Sequence, residues 1–228
     1  MSAGTSLAEK MELTRDRIRF LGQRFEPGKT AVAWTGGKDS TLVLWFWLEY
    51  LQAIGAGQSH RARALNLDTG CKFPEVLAFR DELTESWKVE LCVARPAVDE
   101  GYPLAEDPVA CCRDLKIEPL NRAIQDLGLE LLLTGVRSDE HPSRAEREWL
   151  ESRSTPEHTQ AHPILHWTEM DVWAFYMAED LPYCSLYDQG YRSLGCRPCT
   201  QPAAASERAG RETRKEDMLE VLRSLGYF

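Results

Sequence analysis

Apolar and polar residues alternate along this chain with two different spacings, and the spacings predict strands and helices in turn. Short apolar runs, typical of buried strands, occur at 29–34, 62–67, 89–94 and 129–133. Apolar positions three and four residues apart, typical of helices, occur at 5–25, 40–50, 74–87, 115–127, 168–179 and 215–225. Strands that alternate with helices of this length form βαβ units. The pattern therefore predicts an α/β fold with a doubly wound parallel sheet.

The pattern weakens in the second half of the chain. Residues 136–162 are charged and predict loops, and residues 182–206 are rich in Pro, Gly, Cys and Tyr. We expect three parts: an N-terminal helix over 1–28, an α/β domain over 29–180, and a C-terminal segment over 181–228. The last part is a cysteine-rich loop with a helix, and we expect it to pack on the same domain as a lid.

Composition narrows the classes of function. The 228 residues suit one domain, and the formal net charge is −9. An acidic chain is a poor partner for nucleic acid, because that binding depends on excess Lys and Arg. No apolar run approaches the roughly 20 residues of a membrane span, and the N-terminus is polar. We expect a cytoplasmic chain without a membrane partner.

The segment TGGKDS at residues 35–40 lies where the first strand ends and a helix begins. Two glycines let the backbone approach an anion, and a helix N-terminus offers free N–H groups and a positive dipole end. The segment differs from the Walker pattern G-x-x-x-x-G-K-[ST]. It predicts a phosphate-binding loop formed by Thr35, Gly36, Gly37, Lys38, Asp39 and Ser40, with the helix beginning near Asp39.

This loop resembles the PP-loop of ATP pyrophosphatases, which cleave ATP between the α and β phosphates. The resemblance implies a PP-loop (HUP-like, Rossmann-like) nucleotide-binding domain over 29–180, with ATP and Mg²⁺ as cofactors. It also implies that the loop holds pyrophosphate and that Lys38 and Asp39 are catalytic. Asp68 follows the second strand, at the edge of the sheet where such folds bind ligands. We expect it to contact ribose or Mg²⁺, although an Asp closing a strand is often a turn residue.

Seven cysteines form an uneven pattern that indicates a metal centre. An odd number in a chain of this size argues against a disulfide framework. Cys111 and Cys112 are adjacent, and Cys196 and Cys199 form a C-x-x-C pair. Four thiolates suit zinc or an iron–sulfur cluster. Adjacent cysteines reach two irons more easily than one tetrahedral ion, so a [4Fe–4S] cluster is favoured over zinc.

Together with the surrounding motifs, the cysteines resemble the PAPS reductase family. These motifs are CCRDLK at 111–116, TGVRSDE at 134–140, GCRPCT at 195–200 and ERAGR at 207–211. The cysteine pattern is similar to that of adenylylsulfate reductases that carry a [4Fe–4S] cluster. The resemblance implies that Lys116 lies near cluster and substrate, and that Lys116 and Arg137 are catalytic. It implies further nucleotide contacts from Gly135, Arg144, Arg208 and Arg211.

Two features decide between functions in this superfamily. Reductases use a nucleophilic cysteine in a C-terminal tail, whereas no cysteine follows Cys199 and the printed chain ends at Tyr227 and Phe228. The TGGKDS motif is also intact, as in ATP-using relatives. The sequence therefore favours an iron–sulfur ATP pyrophosphatase that adenylylates an acceptor for sulfur transfer, as in DNA phosphorothioation. The alternatives are an adenylylsulfate or phosphoadenylylsulfate reductase and the small subunit of sulfate adenylyltransferase.

The favoured function implies partners besides an adenine nucleotide. We expect a sulfur donor such as a cysteine desulfurase, or other subunits, because the chain shows no sulfur source of its own. Nucleic acid would be reached only through a basic partner, because the chain itself is acidic. A homo-oligomer is compatible with this function.

Overall fold

The computed structural model describes residues 5–56 and 60–226, so Tyr227 and Phe228 lie outside the described residues. Its strands are β1 Thr30–Ala33, β2 Arg63–Leu67, β3 Glu90–Ala94, β4 Leu131–Leu133, β5 Leu150–Ser154 and β6 Glu157–Ala161. Its helices are α1 Leu7–Gly22, α2 Lys38–Ala53, α3 Pro74–Ser86, α4 Pro108–Cys112, α5 Glu118–Asp126, α6 Glu169–Ala178, α7 Thr213–Asp217 and α8 Leu219–Ser224.

The six strands form one sheet in the order β3-β2-β1-β4-β6-β5. All neighbouring pairs are parallel except β5 and β6, which form an antiparallel hairpin. The chain leaves β1 toward β2 and β3 and returns to β4 on the other side of β1. The expected α/β fold with a doubly wound, mainly parallel sheet is confirmed. The strand order reverses beside β1, and such points bind ligands at the carboxyl ends of the strands.

Alternating side chains of β1 supply both faces of the sheet, as the pleat requires. Val32 packs with apolar residues of α1, α2, α3 and α6 in the larger core. Ala31 and Ala33 pack on the opposite face with apolar residues of α5. Helices therefore cover both faces, and the carboxyl edge stays available for a site.

Several elements differ from the sequence prediction. The loops expected within 136–162 contain β5 and β6, and the irregular stretch expected before residue 112 contains α4. β5 and β6 read LESRS and EHTQA, so their mainly polar side chains give no apolar run. The helix expected over 215–225 is divided at Met218 into α7 and α8. Helix α2 begins at Lys38, one residue before the expected start near Asp39, and Gly37 is its N-cap.

The N-terminal helix α1 contacts α2 and α6, so it packs on the α/β body. The division of the chain at residues 28 and 180 stays a prediction. In the part of the chain that the structure describes, no helix has the length and apolar character needed to cross a membrane.

The β5–β6 hairpin carries a buried polar network at the end of the sheet. His162 is fully buried, with its Nδ1 2.5 Å from the hydroxyl of Thr134. Its Nε2 lies 3.6 Å from Glu151, which also pairs with Arg147 at 3.1 Å. Burial lowers the pKa of His162 to about 4, although Glu151 opposes this shift. The imidazole is therefore neutral in the folded protein at neutral pH.

This network predicts acid sensitivity. The unfolded state binds a proton at His162 near pH 6.5, whereas the folded state resists it until about pH 4. The free energy of unfolding should therefore fall as the pH drops from 6.5 to 4, by about 3 kcal/mol at most from this residue. Urea unfolding at several pH values measures it. His162→Gln should flatten the slope in this window, and an unchanged slope would contradict the assignment.

Candidate functional site

The phosphate loop joins β1 to α2 in the expected position. Gly36 has φ +81°, a conformation that favours glycine. The backbone N–H of Thr35 donates to Ser40 Oγ at 3.1 Å, and the N–H of Gly37 donates to Thr35 Oγ1 at 3.2 Å. These bonds hold the loop in a tight turn at the N-terminus of α2, where the helix dipole favours an anion.

The loop after β4 packs directly on the phosphate loop. A Cβ atom on Gly135 would lie 2.6 Å from both the carbonyl carbon of Asp39 and the amide nitrogen of Ser40. Only glycine permits this approach without displacing the start of α2. The two loops therefore meet beside β1, at the point where the strand order reverses.

A cavity of about 120 Å³ lies between these loops and the C-terminal segment. Its walls contain eight of the predicted nucleotide-binding residues: Thr35, Gly37, Asp39, Ser40, Gly135, Arg144, Arg208 and Arg211. The C-terminal segment also contributes Tyr187, Ser193 and Leu194. The arrangement combines helix N–H groups with three arginines, so it suits a small anionic ligand.

Lys38 and Arg137 are not among the residues that line this cavity. The Lys38 side chain is 1% exposed, and its ammonium donates to Glu207 at 2.5 Å and to the carbonyl of Arg192 at 3.1 Å. The Arg137 side chain is 0% exposed and donates to Asp39 at 2.8 Å and to both oxygens of Glu207. Two of the three predicted catalytic cations, Lys38 and Arg137, are thus engaged in buried ion pairs.

Charge in this buried group is balanced within the protein. Burial opposes ionisation of Asp39, but Lys38 and Arg137 outweigh it and hold the pKa of Asp39 below its usual value. Burial also opposes the charge on Arg137, but Asp39 and Glu207 raise the pKa of Arg137 above its usual range. Carboxylate oxygens of Asp39, Glu140 and Glu207 lie within 4.8 Å of one another. Arg137 contacts all three carboxylates. Lys38 pairs with two of them and Arg144 with Glu140, so three cations balance the three negative charges.

Glu207 is a residue that sequence reasoning did not assign, although it opens the ERAGR motif. Its carboxylate joins Lys38, which follows β1, and Arg137, which follows the neighbouring strand β4. The only sign of its role in the sequence is that this glutamate lies near two arginines of the motif. Its partners lie 169 and 70 residues away in sequence, so no local pattern reveals them.

Asp68 has the geometry of a turn residue. Its Oδ1 accepts the N–H of Gly70 at 3.1 Å, and its Oδ2 lies 3.5 Å from Arg95. It follows β2 at the carboxyl edge but is not among the residues lining the cavity. Its expected role in binding ribose or Mg²⁺ stays a prediction.

The four predicted metal ligands come from two regions. Cys111 and Cys112 end α4, and a π-helical turn, Arg113–Ile117, connects α4 to α5 and carries Lys116. Such wide turns occur often at functional sites, because the extra residue redirects side chains. Cys196 and Cys199 flank a single helical turn of the C-terminal segment.

Contacts from the loop after β2 hold the C-x-x-C pair at the carboxyl edge of the sheet. The hydroxyl of Thr69 lies 3.3 Å from Cys196 Sγ, and the N–H of Arg197 donates to the carbonyl of Cys71 at 2.7 Å. Burial would raise the pKa of Cys196, but Lys116, Lys72, Thr69 and Lys215 together lower it to about 6. A thiolate, the form that binds metals, is therefore favoured at neutral pH.

The four thiols form a donor set that suits a metal centre. Among residues 5–56 and 60–226, no three cysteine sulfurs lie within 4.8 Å of one another. Four thiolates are the usual ligands of an iron–sulfur cluster, so the residues present fit that group. The choice of a cluster over zinc stays a prediction.

Comparison with known proteins establishes the family. The phosphoadenosine phosphosulfate reductase domain matches residues 29–202. An adenosine 5'-phosphosulfate reductase of Neisseria meningitidis is 36% identical over 222 residues, covering 91% of this chain and 85% of that protein. A phosphoadenosine 5'-phosphosulfate reductase of Gloeobacter violaceus is 34% identical over 164 residues, covering 66% and 67%. The chain belongs to the phosphoadenosine phosphosulfate reductase domain family, as the motifs indicated.

Solved structures agree on the fold. A phosphoadenylyl-sulfate reductase of Candida auris has a TM-score of 0.68 at 19% identity, covering 88% of this chain and all of that one. A U34-tRNA thiolase of Methanococcus maripaludis with its [4Fe–4S] cluster has a TM-score of 0.57 at 16% identity, covering 96% and 74%. Identity this low shows a shared fold and nothing finer.

The comparisons overturn the function favoured from sequence. The relatives are named as adenosine 5'-phosphosulfate and phosphoadenosine 5'-phosphosulfate reductases, so the reading as an ATP pyrophosphatase for sulfur transfer is wrong. Its two supports were the absence of a cysteine after Cys199 and the intact TGGKDS motif. In the structure, the lysine of that motif binds Glu207 instead of facing the cavity. An intact motif is therefore no sign of a triphosphate substrate in this chain.

Proposed function

We propose that this protein is a sulfonucleotide reductase that converts adenosine 5'-phosphosulfate to AMP and sulfite with the help of a [4Fe–4S] cluster. The observation that carries the proposal is a similarity to adenosine 5'-phosphosulfate reductases that spans 91% of the chain. It includes both the phosphate loop and the cysteine set. The geometry supports it, because one loop of the C-terminal segment carries Cys199 at its base and two cavity arginines within it.

The cavity residues fit the anionic part of such a substrate. The N–H groups at the start of α2 would bind the oxygens of one phosphate or sulfate group. Arg144, Arg208 and Arg211 would bind the remaining charge, with Arg208 oriented by Glu216 at 2.8 Å. These contacts stabilise AMP as it leaves, because negative charge grows on the phosphate oxygen as the S–O bond breaks.

The reaction needs a thiolate that attacks sulfur. The S–O bond to phosphate breaks, AMP leaves, and an S-sulfo thiol forms; a second thiol then displaces sulfite as a disulfide forms. Cys71, Cys92 and Cys184 are the cysteines of this chain outside the proposed ligand set. The proposal leaves the identity of the attacking thiol to experiment.

The proposed cluster ligands are Cys111, Cys112, Cys196 and Cys199. When bound, the cluster supplies a polarisable, electron-rich centre beside the site. Lys116 and Lys215 both lower the pKa of Cys196, so this chain surrounds the thiolates with positive charge. The same charge favours an anionic substrate nearby.

The partners, an oligomer included, and Mg²⁺ stay predictions.

Titration calorimetry of the anaerobic protein tests the substrate class. Adenosine 5'-phosphosulfate should bind more tightly than AMP, because the sulfate adds charge beside the arginines, and Mg²⁺ should not be needed. Arg208→Met should weaken binding by about 2 kcal/mol, the usual cost of a charged hydrogen bond. Tighter binding of ATP with Mg²⁺ than of adenosine 5'-phosphosulfate would contradict the proposal.

A further inference from the structure

Residues 200–211 form a loop, called the closing loop below. It is attached to the rest of the protein both at its base and at its far part. At its base, Thr200 and Arg211 form an antiparallel bridge, and the N–H of Gln201 donates to the carbonyl of Gly210 at 2.8 Å. The N–H of Glu212 also donates to the carbonyl of Cys199 at 3.2 Å. The base is therefore attached to the cysteine set by backbone bonds that are independent of the side chains further along the loop.

The far part of the closing loop is attached mainly by ion pairs, and those of Glu207 are the most buried. Glu207 is 8% exposed and bonds Lys38 at 2.5 Å and Arg137 at 2.5 and 2.6 Å. Those two side chains are 1% and 0% exposed. The neighbouring Arg208 pairs with Glu216, and both of these side chains are slightly more exposed. Two hydrogen bonds add weaker attachments, from the N–H of Ala203 to the carbonyl of Gly190 at 3.2 Å and from Arg192 to the carbonyl of Ala204 at 3.3 Å.

The closing loop also forms part of the cavity. Arg208 and Arg211 line it, and they are the first and fourth residues after Glu207. The cavity of about 120 Å³ is well below the roughly 300 Å³ of the smallest usual ligand pockets. The closing loop forms part of its wall, so an outward movement of the loop would widen the cavity for a nucleotide.

We propose that Glu207 is a latch that fastens the closing loop to the phosphate loop, and that its ion pairs with Lys38 and Arg137 set how tightly the loop closes over a bound sulfonucleotide. Glu207 is a positioning residue: it places Arg208 and Arg211 on the ligand and does not itself contact the ligand. Lys38 is part of the same latch, which explains why the lysine of the phosphate-loop motif does not line the cavity. The part that concerns the nucleotide rests on the proposed function.

Limited trypsin digestion of the anaerobic full chain, without nucleotide, tests the latch directly. Glu207→Gln keeps the shape of the side chain and removes its charge. We expect cleavage after Arg208 to become at least tenfold faster, with cleavage after Arg211, at the base of the loop, and elsewhere unchanged. Glu130→Gln is the matched control, because Glu130 pairs with Lys29 on the exposed surface. Unchanged cleavage in the closing loop of Glu207→Gln would overturn the proposal, and so would faster cleavage along the whole chain.

Glu207→Asp provides a second variant, with the charge retained on a shorter side chain. Trypsin should cleave the closing loop of this variant at a rate between those for the native protein and Glu207→Gln. Iron content should stay unchanged in all three variants, because the base of the loop keeps its backbone bonds. Loss of iron in Glu207→Gln would show a general structural role and overturn the latch.

Stopped-flow binding separates the latch from the proposed function. Adenosine 5'-phosphosulfate should dissociate at least tenfold faster from Glu207→Gln than from the native protein, and AMP should show the same direction of change. An unchanged dissociation rate of both ligands would overturn the latch. Failure of the native protein to bind adenosine 5'-phosphosulfate would overturn the proposed function alone, because the digestion in the absence of nucleotide still tests the latch.

Discussion

Replacing Cys196 with Ser is expected to remove nearly all iron and acid-labile sulfide from protein purified without oxygen. Cys196 is the more buried residue of the C-x-x-C pair. Its pKa of about 6 favours the thiolate form at neutral pH. A serine hydroxyl does not ionise at this pH, so one corner of the cluster loses its ligand. The native protein should be brown with absorbance near 400 nm, and the variant should be colourless.

The control for this experiment is Cys92→Ser. Cys92 lies on β3, packed with the smaller core, away from the four proposed ligands. Its iron content should match that of the native protein. Stoichiometric zinc without iron in the native protein would contradict the cluster, and equal iron loss in both variants would contradict the assignment of ligands.

Replacing Arg137 with Met is expected to lower the free energy of unfolding by about 3–5 kcal/mol. The side chain is 0% exposed, and its loss leaves Asp39 and Glu207 with Lys38 as their main cationic partner. Breaking a buried ion pair from one side is costly, because a charge stays buried without compensation. Urea unfolding of the native protein and the variant measures the difference.

Lys29→Met is the matched control, since Lys29 pairs with Glu130 on the surface at 2.6 Å. Its effect should be much smaller than that of Arg137→Met, as is usual for exposed pairs. An Arg137→Met variant of native stability would contradict the structural role. If that variant also bound nucleotide normally and lacked turnover, Arg137 would be catalytic, as the motif first suggested.

The sequence was sufficient for the fold because most of its strands are buried apolar runs. Four strands and most of the helices follow from spacing alone, and Thr168 forms a capping box at the start of α6. β5 and β6 could not be predicted, because β6 depends on pairing with β4, β5 depends on pairing with β6, and a polar network surrounds His162. Their mainly polar side chains leave no apolar run in the sequence.

The site was predictable where it depends on motifs and not where it depends on long-range contacts. The cavity contains the glycines and arginines that the motifs indicated, including Gly135 and Arg208. The orientations of Lys38 and Arg137 depend on Glu207, whose position is set only by the folded C-terminal segment. The wrong choice of function arose from the same cause, because an intact loop motif was taken as evidence for a triphosphate.

The central claim, that the substrate is a sulfonucleotide, is tested most directly by product analysis. The anaerobic, iron-loaded protein is given adenosine 5'-phosphosulfate or ATP, each with an excess of a dithiol reductant, and sulfite, AMP and pyrophosphate are quantified. The account predicts equal amounts of sulfite and AMP from adenosine 5'-phosphosulfate, and no pyrophosphate from ATP. Pyrophosphate from ATP, with no sulfite from adenosine 5'-phosphosulfate, would contradict it.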